Sequence, residues 1–450
     1  MMSLAEAAAA MQGTLKGPDV RFRGVSTDSR AIGRGELFVA IRGEHFDGHA
    51  FLAMAKERGA SAALVHRGFA GAAPLPVIAV DDTRKGLGQL GRHWRGRFAP
   101  VVIAIAGANG KTTTKEMLAA ILRAHAGDAA VLATQGNLNT DIGVPLTVLQ
   151  LEAPHRYCAI ELGMNHPGEI EGLAAIAQPT IAVVTNAQRE HMEFMKSVEA
   201  SAQENAHALR ALPATGIAVV NAEDACRPIF LAAAGARRVV EFGLAPAASV
   251  TGGYALKALS SEITLRTPLG EARATLAIPG LHNVRNALAA AACAHAAGIP
   301  AQTIGRGLSA FRPYAGRLQV KRTASGATLI DDSYNANPDS VRAAIDVLAG
   351  CPAPTLLVLG DMGEVGEHGP EFHREVGAYA KSRGIGALYA LGEASREAVR
   401  AYGTGARHFD APEVLAAALP RAATMLVKGS RFMKMERVVA ALTGETQGGH

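Results

Sequence analysis

A chain of 450 residues is too long for one ordinary hydrophobic core, and two or three domains are expected. Hydrophobic residues make up 49% and charged residues 19%, which excludes a disordered chain. The net charge of +5 suits an anionic ligand, but Lys and Arg are scattered with no basic run, so no nucleic-acid partner is expected.

The first segment, MMSLAEAAAAMQG, carries Glu6 and no basic leader region, so it reads as an opening helix. Strands are expected near ELFVAI, AALV and PVIAV, closing a small unit over residues 1–84. From Val101 a strand-loop-helix rhythm sets in through VVIAIA, YCAIEL, TIAVVTN and GIAVVN, which predicts a parallel sheet covered by helices. Polar/apolar alternation between Tyr254 and Pro279 predicts a hairpin appended to that sheet. After Arg312-Pro313 a third block runs through TLIDDSYNANP, LLVLGDMGE, ALYALGE and TMLVKGSR, each an apolar strand followed by a polar loop. The expected domains are 1–84, 85–313 and 314–450. Cys158, Cys226, Cys293 and Cys351 form no CxxC pair and read as reduced thiols. With no run of eighteen apolar residues, a cytoplasmic protein without membrane insertion is expected.

Open α/β sheets bind ligands beyond the carboxyl ends of their strands. GANGKT sits at such an end, with Gly107, Asn109, Gly110, Lys111, Thr112 and Thr113 between a strand and a helix. Backbone amides at that helix start can cradle phosphates, Lys111 can neutralise their oxygens and the Thr112 hydroxyl can hold Mg²⁺; the plainer reading is a glycine turn. The loop is shorter than the usual phosphate-binding pattern, because Ile105 stands where that pattern has its first glycine. Glu161 and His191 also follow apolar strands, where a carboxylate and an imidazole can share a divalent cation, or simply face water. In PGLHNVRNALAAA, Asn283 reads most simply as a helix cap, with Asn286 one turn on. DDSYNANPDS holds Asp332, Tyr334 and Asn337 in a loop richer in polar groups than a turn requires. STDSR, with Ser29 and Arg30, and GEHFDGHAF, with Gly43, Asp47, Gly48 and His49, are polar loops that suit solvent or a second anion. KGSR, with Lys428, ends the last strand and begins a helix.

In this order, the TDSR and DGHxF motifs, the shortened GxxGKT loop, NxNTxxGxP from Asn137, ExGMNxxGEI from Glu161, TNxxxxH ending at His191, GxHNxxN and the Arg317 segment resemble the Mur ligase family. The resemblance implies a small N-terminal α/β domain, a central P-loop-type parallel-sheet domain and a C-terminal Rossmann-like domain. It implies an ATP-dependent amide ligase that works through an acyl phosphate, with ATP and Mg²⁺ as cofactors, acting as a monomer. The third block carries DDSYNANPDS and KGSRxxxMER rather than DNPR, similar to members that add D-alanyl-D-alanine to UDP-N-acetylmuramoyl-tripeptide. By matching position, Lys111 and Thr112 serve the triphosphate and its Mg²⁺, and Glu161 and His191 a second Mg²⁺. Asn283 and Asn286 lie near the nucleotide, Arg317 near its phosphates and Asp332 near its ribose. Asn139, Thr140, Tyr334, Asn337 and Lys428 join the substrate set, and Ser29, Arg30 and the Gly43–Phe51 loop face the UDP end.

One position departs from the family. Fourteen residues after His191, where a carbamoylated lysine is usual, stands Asn205, preceded by Glu204. A polar contribution from one of the two is expected, with Glu204 slightly favoured. The rival readings are another ligase of the superfamily, adding diaminopimelate or lysine or extending folylpolyglutamate, and a P-loop kinase.

Overall fold

The computed structural model describes residues 1–43, 46–420 and 422–444; Glu44 and His45 of the GEHFDGHAF loop lie outside them. Among the described residues, three large sheets of five or six strands follow one another along the chain, each with flanking helices, beside two smaller sheets of two and three strands. The first has five strands in the order 14–16, 77–80, 62–66, 37–39 and 25–26, parallel except at Thr14–Lys16. The expected opening helix spans Leu4–Ala10, capped by Ser3, whose side chain accepts the Glu6 amide.

The central sheet is six-stranded and wholly parallel, in the order 238–242, 217–221, 181–184, 101–106, 157–161 and 131–133. Its middle strands are buried on both faces, which is why they read as unbroken apolar runs. Helix Leu281–Ala296 is buried over most of its circumference and packs beside Lys111–Ala126, so its alanine-rich sequence reflects close packing within the core. Among the described residues, no helix is long and apolar enough to cross a membrane.

The expected hairpin is instead a separate three-stranded antiparallel sheet, Thr251–Leu256, Ser261–Thr267 and Gly270–Leu276. Its middle strand buries Ile263 and Leu265 while Glu262 and Arg266 face water. One apolar face is enough to dock the sheet on the helices, so it has no need to join the parallel sheet by an edge. The third large sheet has six strands in the order 319–322, 328–332, 424–428, 355–360, 387–391 and 406–409, antiparallel only at Gln319–Arg322.

Helix Thr83–Arg95 crosses the division expected at residue 84. Leu87 and Leu90 sit in the N-terminal core, while a Cβ added at Gly91 would come within 2.9 Å of Pro145 Cβ in the central domain. Trp94 Nε1 donates to the Leu151 carbonyl at 3.0 Å, and Arg95 Nε to that of Ala177 at 3.2 Å.

Candidate active site

The carboxyl ends of the central and C-terminal sheets face one cleft of about 580 Å³. Strand Val101–Ala106 delivers the chain into the glycine loop, and helix Lys111–Ala126 leaves it. Gly107 and Gly110 have φ of 121° and 81°, a region that L side chains rarely adopt. A Cβ at Gly110 would stand 2.2 Å from Asn286 Oδ1, so the loop lies directly against helix Leu281–Ala296. Asn286 Nδ2 in turn donates to Asn283 Oδ1 at 3.1 Å.

Asn283 is not the helix cap. Gly280 occupies that position, and Asn283 is buried in the first turn, donating through Nδ2 to the Pro279 carbonyl at 2.7 Å. The neighbouring His282 accepts at Nε2 from Asn283 Nδ2 at 3.1 Å, and burial pulls its pKa down to about 4.

Beside the loop, Thr112 Oγ1 donates to Glu161 Oε1 at 3.1 Å, and Asn139 Nδ2 donates to the same oxygen at 2.8 Å. Glu161 is 2% exposed, and its other oxygen, Oε2, is buried without a partner. A buried carboxylate oxygen left so, next to a hydroxyl at the start of a phosphate loop, is the donor chemistry a hard divalent cation takes. Among the described residues no cluster of three or more His, Cys, Asp or Glu forms a metal cage. Mg²⁺ is commonly bound by one or two carboxylates together with phosphate oxygens and water. His191 turns toward the third domain, with Nδ1 2.6 Å from Glu364 Oε2, and this contact holds the Glu364 carboxyl below its ordinary range.

The C-terminal wall supplies Arg317, whose guanidinium stacks 4.1 Å over the Tyr334 ring and reaches to 3.5 Å of Thr112 Oγ1. Burial raises the Tyr334 hydroxyl above its usual pKa. Lys428 Nζ pairs with Asp332 Oδ2 at 2.6 Å, and desolvation lowers the pKa of this buried ammonium. KGSR does not open a helix directly: a short 3-10 turn, Arg431–Met433, comes before helix Glu436–Thr443. Asn337 serves as cap and capping box of helix Pro338–Ala349 with Ser340, and its Nδ2 also donates to Asn109 Oδ1 across the cleft at 2.9 Å. Thr113 and Thr140 line the cleft as well.

The expected UDP-facing residues lie apart from this cleft, in the N-terminal domain. Arg30 pairs within its own loop with Asp28, and Ser29 is buried with Oγ 3.5 Å from Met54 Sδ. Gly43 closes its loop by donating to the Phe46 carbonyl at 2.9 Å, and Gly48 packs on the backbone of Ile41. His49 faces inward: its Nδ1 is 2.5 Å from Asp47 Oδ1, and its Nε2 accepts the His66 amide at 2.9 Å. With both nitrogens engaged, His49 holds the loop and has none left for a ligand. Asp47, bonded to the His49 amide and ring, has a pKa lowered to about 2.

Glu204 corrects the expectation placed on it. Its carboxylate accepts the Gly168 and Ile170 amides, both at 2.8 Å, and so caps helix Glu169–Ala177. Asn205, one residue on, faces the phosphate loop, with Oδ1 accepting the Gly107 amide at 2.7 Å. Sequence reading missed two neighbours of His191. Arg189 grips Asp339 and Glu375 of the third domain, and buried Glu190 lies 3.3 Å from Lys111 Nζ. Their one sequence signal is an Arg-Glu pair at a strand-end loop just before the histidine.

Family models match along the chain: "Mur ligase family, catalytic domain" over residues 21–95, "Mur ligase middle domain" over 105–294 and "Mur ligase, glutamate ligase domain" over 316–443. The UDP-N-acetylmuramoyl-tripeptide–D-alanyl-D-alanine ligase of Escherichia coli K12 is 39% identical over 439 residues, 96% of each chain. A crystal structure of MurF from Acinetobacter baumannii superposes with a TM-score of 0.91 at 33% identity, covering 98% of both chains. The MurF ligase of Thermotoga maritima, solved in complex with ADP, gives 0.81 at 24% identity over 94% of this chain and 97% of that one.

Proposed function

The chain belongs to the Mur ligase family, and from that premise we propose that it joins D-alanyl-D-alanine to UDP-N-acetylmuramoyl-tripeptide at the expense of ATP. The observation that carries this reading is the one cleft into which the phosphate loop, the Thr112–Glu161 pair and the Asp332–Lys428 pair all open.

A carboxylate does not react with an amine at neutral pH, because its carbonyl carbon is a poor electrophile. Transfer of the γ-phosphoryl of ATP to the tripeptide carboxylate gives an acyl phosphate and ADP. The dipeptide amine then attacks the carbonyl carbon, the amide forms and phosphate leaves with the bonding electrons. The amides of the Gly107–Thr112 loop and Lys111 hold the triphosphate and stabilise charge on the moving phosphoryl. Asn283, Asn286, Arg317 and Asp332 form the rest of the nucleotide's surroundings, and Arg317 brings its charge to the phosphates. Tyr334, Asn337, Lys428, Asn139 and Thr140 border the acceptor and donor. Ser29, Arg30, Gly43, Asp47 and Gly48 remain the proposed UDP end.

One Mg²⁺ would be held by Thr112 beside the triphosphate and a second by Glu161 and His191, and the metal supplies Lewis-acid neutralisation of phosphate oxygens when bound. We take the domains to divide near residues 84 and 313, with helix Thr83–Arg95 running across the first division and shared by both sides, and the enzyme to act as a cytoplasmic monomer. Its substrates place it among reactions that build peptidoglycan precursors.

The test is ADP release from a panel of UDP-muramyl peptides with D-alanyl-D-alanine, diaminopimelate or L-lysine. Release that requires both the tripeptide and D-alanyl-D-alanine supports the reading. Equal use of diaminopimelate or L-lysine with the UDP-muramyl dipeptide overturns it, and ADP release with no amine donor points to a kinase.

A further inference from the structure

Glu190 is a carboxylate inside the site that the reaction as described does not use. It is 4% exposed. Its Oε1 accepts from Ser201 Oγ and from Asn205 Nδ2, each at 2.9 Å, and both donors stand on helix Val198–Asn205. With Oε1 fixed in this way, Oε2 faces Lys111 Nζ at 3.3 Å. A lysine ammonium has three donors, and the other two go to the carbonyls of Gly107 at 2.5 Å and Ala108 at 3.1 Å. Asn205 binds the Gly107 amide as well, so one helix holds both the loop and the counter-charge of its lysine.

We propose that Glu190 is the positioning residue for Lys111, a fixed carboxylate that sets where the ammonium stands and makes the site favour a nucleotide arriving with its divalent cation. The inference rests on the nucleotide reading of the loop. A triphosphate seated there brings several negative charges toward Oε2, and because Glu190 is 4% exposed the repulsion is poorly screened by solvent. A cation carried with the phosphates cancels it, whereas metal-free ATP meets it in full. The same carboxylate keeps Lys111 aimed at the loop when the phosphoryl moves, where misplaced charge lowers the rate.

Glu190→Gln keeps the shape, and its amide oxygen can still accept from Ser201 and Asn205, but the charge is gone. Two changes of opposite sign are expected: metal-free ATP binds about 5-fold tighter and turnover falls about 10-fold or more. A residue needed only for packing would weaken both. Titration calorimetry with ATP in EDTA and in Mg²⁺, beside steady-state turnover, reads both quantities. Glu190→Asp retains the charge and should bind metal-free ATP as the wild type does. Unchanged or weaker metal-free binding by Glu190→Gln overturns the proposal, as does unchanged turnover. Should Glu190→Gln not fold, Ser201→Ala must give both shifts in smaller size, and no shift in either overturns the proposal. A wild-type chain that binds no ATP overturns the nucleotide reading first, and this one with it.

Discussion

Arg189, in the loop after a central strand, grips Asp339 in the first turn of a third-domain helix, with Nη2 2.6 Å from Oδ1 and the Arg189 amide 2.9 Å from Oδ2. Its Nη1 reaches Glu375 Oε2 at 2.7 Å, and its guanidinium lies 5.1 Å over the Phe372 ring. The planar fork of arginine suits such two-carboxylate recognition, and the two acids raise its pKa further. Arg189→Ala should therefore loosen the third domain, at a cost of about 1.5–3 kcal/mol for the lost charged hydrogen bonds. A larger radius of gyration in solution scattering and a higher KM are expected. Unchanged scattering and kinetics would show that the clasp does not hold the third domain in place.

Lys111→Ala should lose catalysis far more than folding. The side chain is bonded to its own loop and to Glu190 and anchors no apolar core. Without its cation, the phosphoryl in flight should cost on the order of 10²–10⁴ in rate. Turnover measured beside a thermal melt decides the matter: a normal melt with near wild-type turnover would sink the assignment.

Gly110→Ala should be severe although it adds one methyl. The φ of 81° costs an L residue about 1–2 kcal/mol, and the new Cβ would be driven 2.2 Å from Asn286 Oδ1. Either Asn286 or the loop must move, and the expected result is lost ATP binding with only a modest drop in melting temperature. ATP affinity equal to that of the wild type would show that the close approach is not needed.

His282 gives the chain an acid sensitivity with a definite sign. Its folded pKa of about 4 lies below the ordinary value of 6.5, so below pH 6.5 the unfolded chain takes up a proton that the folded chain refuses. The stability it contributes is present above pH 6.5 and is lost as pH falls toward 4. Between pH 7 and pH 5 the loss amounts to about 2 kcal/mol. His282→Gln should flatten that part of the curve in denaturant titrations. A parallel curve for the variant would assign the acid loss elsewhere.

The glycine loop, the strand rhythm and the ordering of motifs were legible because each is contiguous in sequence and carries its own local physics. Gly107 to Thr112 announces a turn and a helix start within six residues. Pairings across the fold were not legible in this way. Glu190 meets Asn205 from 15 residues away and Arg189 meets Asp339 from 150, so only the packed sheets bring them together. Glu204 and Asn205 show the same limit at its finest. Adjacent helical positions diverge by about 100°, and which one faces the loop depends on the rotation of helix Val198–Asn205 in its seat. Asn283 misled for a related reason: capping amides and interior amides near a helix start share the same residue type, and the glycine at the true cap has no side chain to signal it.

Helix Thr83–Arg95 has a consequence for heredity. Because Leu87 and Leu90 complete one core while Gly91 and Trp94 fit the next, the first two domains are not exchangeable modules. A recombination junction within this helix sets leucines from one parent against a foreign sheet, or brings a foreign side chain against Pro145. The two domains are therefore bound to be inherited, and to drift, as a pair.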